Sequence, residues 1–231
     1  MSKIVVANMK NALTKNEVIK YNNISKLDKI DLIICPSYIH LGLLDNDKFK
    51  LGVQNIYNEG ICTGEVSINQ LKEYNVQYSI IGHMERRVLF NETDSEINSK
   101  INSCLENGIK VVLCIGNKND SLESIYNSLE NELSKALNNI SSLDNIIISY
   151  EPYSNVGLDN EVNIQEVKLI KEFICNLLSK KYNKIPTTIY GGNVNRSNVK
   201  EIIDIYDGIM VGRSTFKYDD FALLIDKLTN W

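Results

Sequence analysis

A lysine, a histidine and a glutamate each stand directly after a short apolar run. Lys10 follows Ile4-Val5-Val6-Ala7-Asn8-Met9, His83 follows Ser79-Ile80-Ile81-Gly82, and Glu151 follows Ile146-Ile147-Ile148-Ser149-Tyr150. These three types form a coherent chemical set. A carboxylate is a base, and an imidazole hydrogen-bonds a carbonyl or shuttles a proton. An ammonium neutralises an anion and stabilises a developing oxyanion. Two glycine-containing turns, Tyr190-Gly191-Gly192-Asn193-Val194 and Val211-Gly212-Arg213-Ser214, offer backbone N–H groups to a phosphate. The set points to proton abstraction beside a carbonyl of a phosphorylated substrate. Each residue alone has a plainer reading: a hydrogen-bonded structural histidine, a surface charge, a tight turn. His40 lacks such neighbours and reads as a surface residue. Cys62 and Cys104 read as small buried residues.

The elements that must position these groups alternate along the chain. Strands are expected near 4–8, 32–35, 51–54, 78–82, 111–115, 146–151, 187–190 and 208–211. Several are apolar without interruption, as in strands buried on both faces of a parallel sheet. Helical spacing marks 94–106, with Ile97, Ile101 and Leu105 on one stripe. It also marks 121–137, with Leu122, Ile125, Leu129, Leu133 and Leu137. Further helices are expected at 163–179 and 197–203, capped by Asn163 and Ser197, and at 221–228. Helices after the first three strands leave a weaker pattern. Eight β/α units with no linker between them imply an α/β fold, a single (β/α)₈ barrel covering residues 1–231. A doubly wound open sheet is the competitor, but the glycine-rich loop that usually follows its first strand is missing after Asn8. In such barrels the chemistry sits at the C-terminal strand ends, where Lys10, His83, Glu151 and both glycine turns fall.

Composition narrows the rest. The formal net charge is −4, which disfavours a general polyanion binder and so nucleic acid. No stretch approaches the apolar length of a membrane span. Five cysteines without a C-x-x-C pair and without a secretory signal argue for a reducing, cytoplasmic setting. Two histidines and scattered cysteines disfavour a metal site. Neither a nicotinamide fingerprint nor a Walker motif is present, so no cofactor is expected.

The ordered motifs resemble the triosephosphate isomerase family. Asn8-Met9-Lys10 resembles its N-x-K. Gln54-Asn55 with Cys62-Thr63-Gly64-Glu65-Val66-Ser67 resembles its third loop. Ile80-Ile81-Gly82-His83-Met84-Glu85-Arg86-Arg87 resembles I-I-G-H-S-E-R-R, and Cys114-Ile115-Gly116 resembles C-I-G-E. Tyr150-Glu151-Pro152, Tyr190-Gly191-Gly192-Asn193-Val194 and Val211-Gly212 resemble A-Y-E-P, Y-G-G-S-V and V-G-G. The resemblance implies the TIM barrel and an aldose–ketose isomerisation through an enediol(ate), a step of glycolysis and gluconeogenesis. It implies Glu151 as the base, His83 as a neutral electrophile and proton shuttle, and Lys10 as the electrostatic partner. It further implies Asn8 at the oxyanion pocket, Glu85 as a supporting carboxylate, and Gly157, Asn193 and Gly212 as phosphate-binding positions. The partner implied is a small phosphorylated aldose or ketose, with no metal or organic cofactor. Thr63-Gly64-Glu65 resembles the loop that the family inserts into a second subunit, which implies a homodimer.

The departures fall close to the site. Met84 stands for the serine after the histidine, which removes a hydroxyl near the base. Asn117 stands for the glutamate after C-I-G. The lid reads Pro152-Tyr153-Ser154-Asn155-Val156-Gly157-Leu158-Asp159 where P-V-W-A-I-G-T-G is common, and Arg213 stands for a glycine. Arg213 either points outwards or clamps the phosphate with its guanidinium. Val211-Gly212-Arg213 also resembles the V-G-R phosphate loop of orotidine-monophosphate-decarboxylase-like barrels. These changes leave two other readings open: an isomerase of another small sugar phosphate, such as a tetrose phosphate, and a non-catalytic metabolite-binding paralogue.

Overall fold

The computed structural model describes residues 2–45, 47–116, 121–153 and 161–229. Eight parallel strands close on themselves in chain order: β1 (Lys3–Asn8), β2 (Ile30–Cys35), β3 (Lys50–Val53), β4 (Tyr78–Ile81), β5 (Lys110–Ile115), β6 (Ile146–Tyr150), β7 (Thr187–Tyr190) and β8 (Gly208–Val211). β8 returns to β1, with Val5 opposite Ile209 and Ala7 opposite Val211. The expected barrel is therefore the observed one, and each strand lies within two residues of its expected bounds.

The helices are α1 (Lys15–Ile19), α2 (Ile68–Lys72), α3 (Met84–Leu89), α4 (Asp94–Glu106), α5 (Leu122–Ala136), α6 (Ile164–Tyr182), α7 (Val199–Ile205) and α8 (Tyr218–Thr229). The weak pattern early in the chain has a structural counterpart. α1 and α2 have five residues each, and among its described residues the β2–β3 crossover holds only the 3₁₀ turns of Tyr38–Leu43. α4 and α6 begin at hydroxyl or amide caps: Thr93 Oγ1 accepts from the Glu96 N–H and Asn163 Oδ1 from the Glu166 N–H.

Strand parity explains the uninterrupted apolar runs. Val112, Cys114, Ile147 and Ile189 point into the barrel with Val6, Ile33, Ile80 and Met210. Val111, Leu113, Ile115, Ile146, Ile148 and Tyr150 point outwards into the larger core beneath the helices. Both faces are buried, so neither tolerates a polar alternation. At the β1–β8 seam, a Cβ on Gly208 would stand 2.0 Å from the Ile4 carbonyl oxygen. The strands close there only because residue 208 has no side chain.

Three local expectations are corrected. His40 is buried in the Tyr38–Leu43 segment rather than on the surface. Cys62 is exposed, whereas Cys104 is buried on α4 as expected. α7 is capped at Asn198, not Ser197; the Ser197 hydroxyl turns to Asn195 Oδ1 instead. The first two errors concern short connecting segments, where exposure depends on what packs above them.

Candidate active site

The parity of β6 continues through its last residue. Ile147 and Ser149 face the barrel axis, and Glu151 follows on the same side with 1% of its surface exposed. Gly191 on the next strand end gives it room: a Cβ there would lie 2.7 Å from Glu151 Cγ and 2.9 Å from Ser149 Oγ. Ser149 Oγ stands 3.4 Å from Glu151 Oε1. Oε2 has no hydrogen-bond partner among the described residues. An unpartnered buried carboxylate oxygen is costly, and here it points at the one group placed to cooperate with it. That group is His83, whose Nε2 is 3.7 Å from Oε2.

His83 owes its orientation to a helix end. Gly82 turns the chain at φ +74°, and His83 then caps α3, with the Glu85 N–H donating to Nδ1 at 3.1 Å. A ring nitrogen that accepts carries no proton, so the proton of the imidazole resides on Nε2. The histidine therefore presents an N–H to the barrel mouth, beside the carboxylate of Glu151.

Lys10 reaches the same mouth from β1. It is held in the left-handed region at φ +50°, a conformation that costs a non-glycine residue energy. Two contacts fix it there: its N–H donates to Asn8 Oδ1 at 3.2 Å, and its carbonyl accepts from Gln54 Nε2 at 2.8 Å. Its ammonium pairs with Glu85 Oε1, while Glu85 Oε2 lies 3.8 Å from His83 Nδ1. Glu85 thus stands between the lysine and the histidine.

An open cleft of about 470 Å³ lies over these groups, lined by Asn8, Lys10 and His83 on one side and Gly191–Val194 with Gly212 and Arg213 on the other. Arg213 Nη2 donates to Asn193 Oδ1 at 3.0 Å, which brings the guanidinium to the rim of the glycine turns. The Asn193 carbonyl is itself fixed by Asn198 Nδ2 at 2.8 Å. The cleft thus carries the ammonium of Lys10 and the imidazole of His83 on one side and a guanidinium with two glycine turns on the other, with the buried Glu151 behind His83. The structure brings together Asn8, Lys10, His83, Glu85, Glu151, Asn193, Gly212 and Arg213. Gly157 and Asn117 lie outside the described residues.

The family model for triosephosphate isomerase matches residues 3–228. This chain belongs to the triosephosphate isomerase family. It is 32% identical to the triosephosphate isomerase of Aquifex aeolicus, over 97% of this chain and 99% of that one. It is 34% identical to that of Mycoplasma genitalium, over 93% and 91%, and 30% identical to that of Helicobacter pylori, over 99% and 100%. Family membership makes the protein an isomerase, and it covers the whole barrel rather than one motif.

Sequence reasoning overlooked a buried group beneath this site. Glu132 on α5 is 8% exposed; it accepts from the Gly116 N–H at 3.0 Å and lies 3.2 Å from Arg87 Nη2. Burial lifts its carboxyl to about 7, against the pull of Arg87 and the Gly116 amide. The signal was present in the chain: Glu132 shares the buried stripe of Leu129, Leu133 and Ala136, where an acid has no ordinary place. Cys114, inside the barrel, has its thiol pushed well up by burial and then by the charge of Glu151. It is packing, not a nucleophile.

Proposed function

We propose that this chain interconverts glyceraldehyde 3-phosphate and dihydroxyacetone phosphate by proton transfer through an enediol(ate). The observation that carries the reading is the facing pair at the barrel mouth: the unpartnered Glu151 Oε2 opposite His83 Nε2. In the proposed reaction Glu151 takes a proton from the carbon beside the carbonyl. His83 donates its Nε2 hydrogen bond to the carbonyl oxygen, where negative charge develops, and moves the hydroxyl proton between the two oxygens. Glu151 then returns its proton to the neighbouring carbon. Lys10 offsets the charge of the enediolate, with Asn8 beside it. Asn193, Gly212 and Arg213 hold the phosphate. Gly157, outside the described residues, is assigned the same task by the resemblance of its motif.

We further propose a homodimer. Ile39, Ile61, Leu89 and Phe90 are exposed apolar residues, with Ile61 wholly uncovered in the single chain. Side chains of that size are commonly covered by a partner. A reducing cytoplasm fits the five free cysteines, one of them exposed. No helix among the described residues is long and apolar enough to cross a membrane.

The test is a coupled isomerase assay with glyceraldehyde 3-phosphate, run alongside four-carbon phosphates. Glu151→Gln keeps the size and removes the base, so kcat falls by at least ~10²-fold. Near-normal turnover by Glu151→Gln would remove Glu151 from that role. Faster turnover of a tetrose phosphate by the parent enzyme would move the substrate assignment.

A further inference from the structure

Glu132 has no part in the chemistry above, yet its carboxylate touches two groups that adjoin the acid–base pair, the Gly116 N–H at the end of β5 and Arg87 on α3. One oxygen holds the Gly116 N–H at the end of β5 at 3.0 Å. Gly116 is flush against the base: a Cβ there would fall 1.9 Å from the Glu151 carbonyl oxygen and 3.0 Å from the Tyr153 ring. The Glu151 N–H in turn donates to the Ile115 carbonyl at 2.8 Å. The other oxygen of Glu132 lies 3.2 Å from Arg87 Nη2. Arg87 Nε donates to the carbonyl of Gly82 at 2.9 Å, the residue that turns the chain into His83, and its Nη1 donates to Asp94 at 2.6 Å. Through Gly116 the carboxylate supports the backbone of Glu151 and the first lid residue after Pro152. Through Arg87 it supports the His83 turn.

We propose that Glu132 is a positioning residue of the isomerase site, a charged brace that sets the spacing between the backbones of Glu151 and His83. The charge is needed because Gly116 offers an N–H and Arg87 a buried cation whose Nη2 has no hydrogen-bond partner among the described residues, and only an ionised carboxylate both accepts from the one and offsets the charge of the other. The sequence departs from its family at Asn117, one residue after Gly116, where a glutamate is usual. The charged groups that face Glu132 are Arg87 from α3, Asp94 from α4 and Glu151 from the end of β6. Tyr153 and the Cys114 thiol lie in the same cluster. Arg87 favours the ionised form, and the two carboxylates with the surrounding burial oppose it. Near neutrality the brace is therefore part-protonated, with its carboxyl at about 7.

The inference rests on the isomerase reading, which turnover of glyceraldehyde 3-phosphate by the parent enzyme tests separately. Glu132→Gln keeps an acceptor for Gly116 and gives Arg87 no charge. At pH 8 it should lower kcat by about 5–20-fold with KM within a factor of about two, because misplaced reacting groups act on the transition state rather than on binding. As the pH falls from 8 to 5.5 the parent enzyme loses its own brace charge, so the kcat ratio of the two proteins should approach one. The melting temperature of the variant should not fall, because a buried charge has been removed. Unchanged kcat at pH 8 would overturn the proposal. So would a ratio that stays constant with pH, or a lost melting temperature that accounts for the lost activity.

Discussion

Replacing Arg213 by glycine restores the residue usual in the family at that position and removes a cation from the phosphate end of the cleft. The guanidinium is exposed and tethered to Asn193 Oδ1 at 3.0 Å. A unit cation about 4 Å from a phosphate dianion gains about 2 kcal/mol at the dielectric of water. Ions at physiological strength screen on a length of about 8 Å and reduce that to about 1 kcal/mol. A buried clamp would contribute roughly 1.5–3 kcal/mol, but the exposure of this guanidinium places it below that range. Arg213→Gly should therefore raise KM for glyceraldehyde 3-phosphate about 5-fold at 0.15 M salt. kcat should be nearly kept, since ground state and transition state carry the same phosphate. Isomerisation of unphosphorylated glyceraldehyde should be unaffected, and the KM difference should shrink as salt is raised towards 0.5 M. The assay is steady-state kinetics on both substrates at two ionic strengths. Equal losses on both substrates, or no loss on either, would refute the clamp and leave Arg213 as an outward-pointing side chain.

Other expectations follow from single distances. Gly191→Ala puts a methyl 2.7 Å from Glu151 Cγ and should lower kcat by roughly 10–10²-fold through displacement of the base, with the fold intact by circular dichroism. His83→Gln keeps a donor but shuttles protons poorly; kcat should fall, and a change confined to KM would show that His83 only binds. Glu132 also links stability to pH. Its folded-state pKa of about 7 lies above the 4.5 usual for a glutamate, so the folded protein holds the proton more tightly and stability drops as pH rises between those values. The cost reaches on the order of 3 kcal/mol above pH 7, and urea titrations of Glu132→Gln should lack it. Parallel stability curves for the two proteins would contradict that burial. Ile61→Asp should weaken self-association in sedimentation velocity, and an unchanged sedimentation coefficient would place the dimer contact elsewhere.

The strands and the long helices were legible because their signals are local. A strand buried on both faces must be apolar throughout, as in Val111-Val112-Leu113-Cys114-Ile115. A helix packed on a sheet must repeat its apolar residue every three or four positions, as in Ile97 and Ile101. The barrel followed from counting these units, and Lys10, His83 and Glu151 were legible because each stands where an apolar run stops. Side-chain state and support were not legible in this way. The proton of His83 is assigned by the Glu85 N–H at a helix end, and the freedom of Glu151 Oε2 depends on which atoms fail to reach it. Gly116 and Glu132 are sixteen residues apart, and Arg87 lies on another helix again. His40 and Cys62 exchanged their expected places for the same reason: what covers a side chain is chosen by distant segments. Periodicity is a property of neighbours within one turn or one pleat, so the chain carries it openly. Proximity between strand ends arises only when β8 closes on β1, and with that closure the carboxylate on α5 comes to lie beside the strand end next to Glu151.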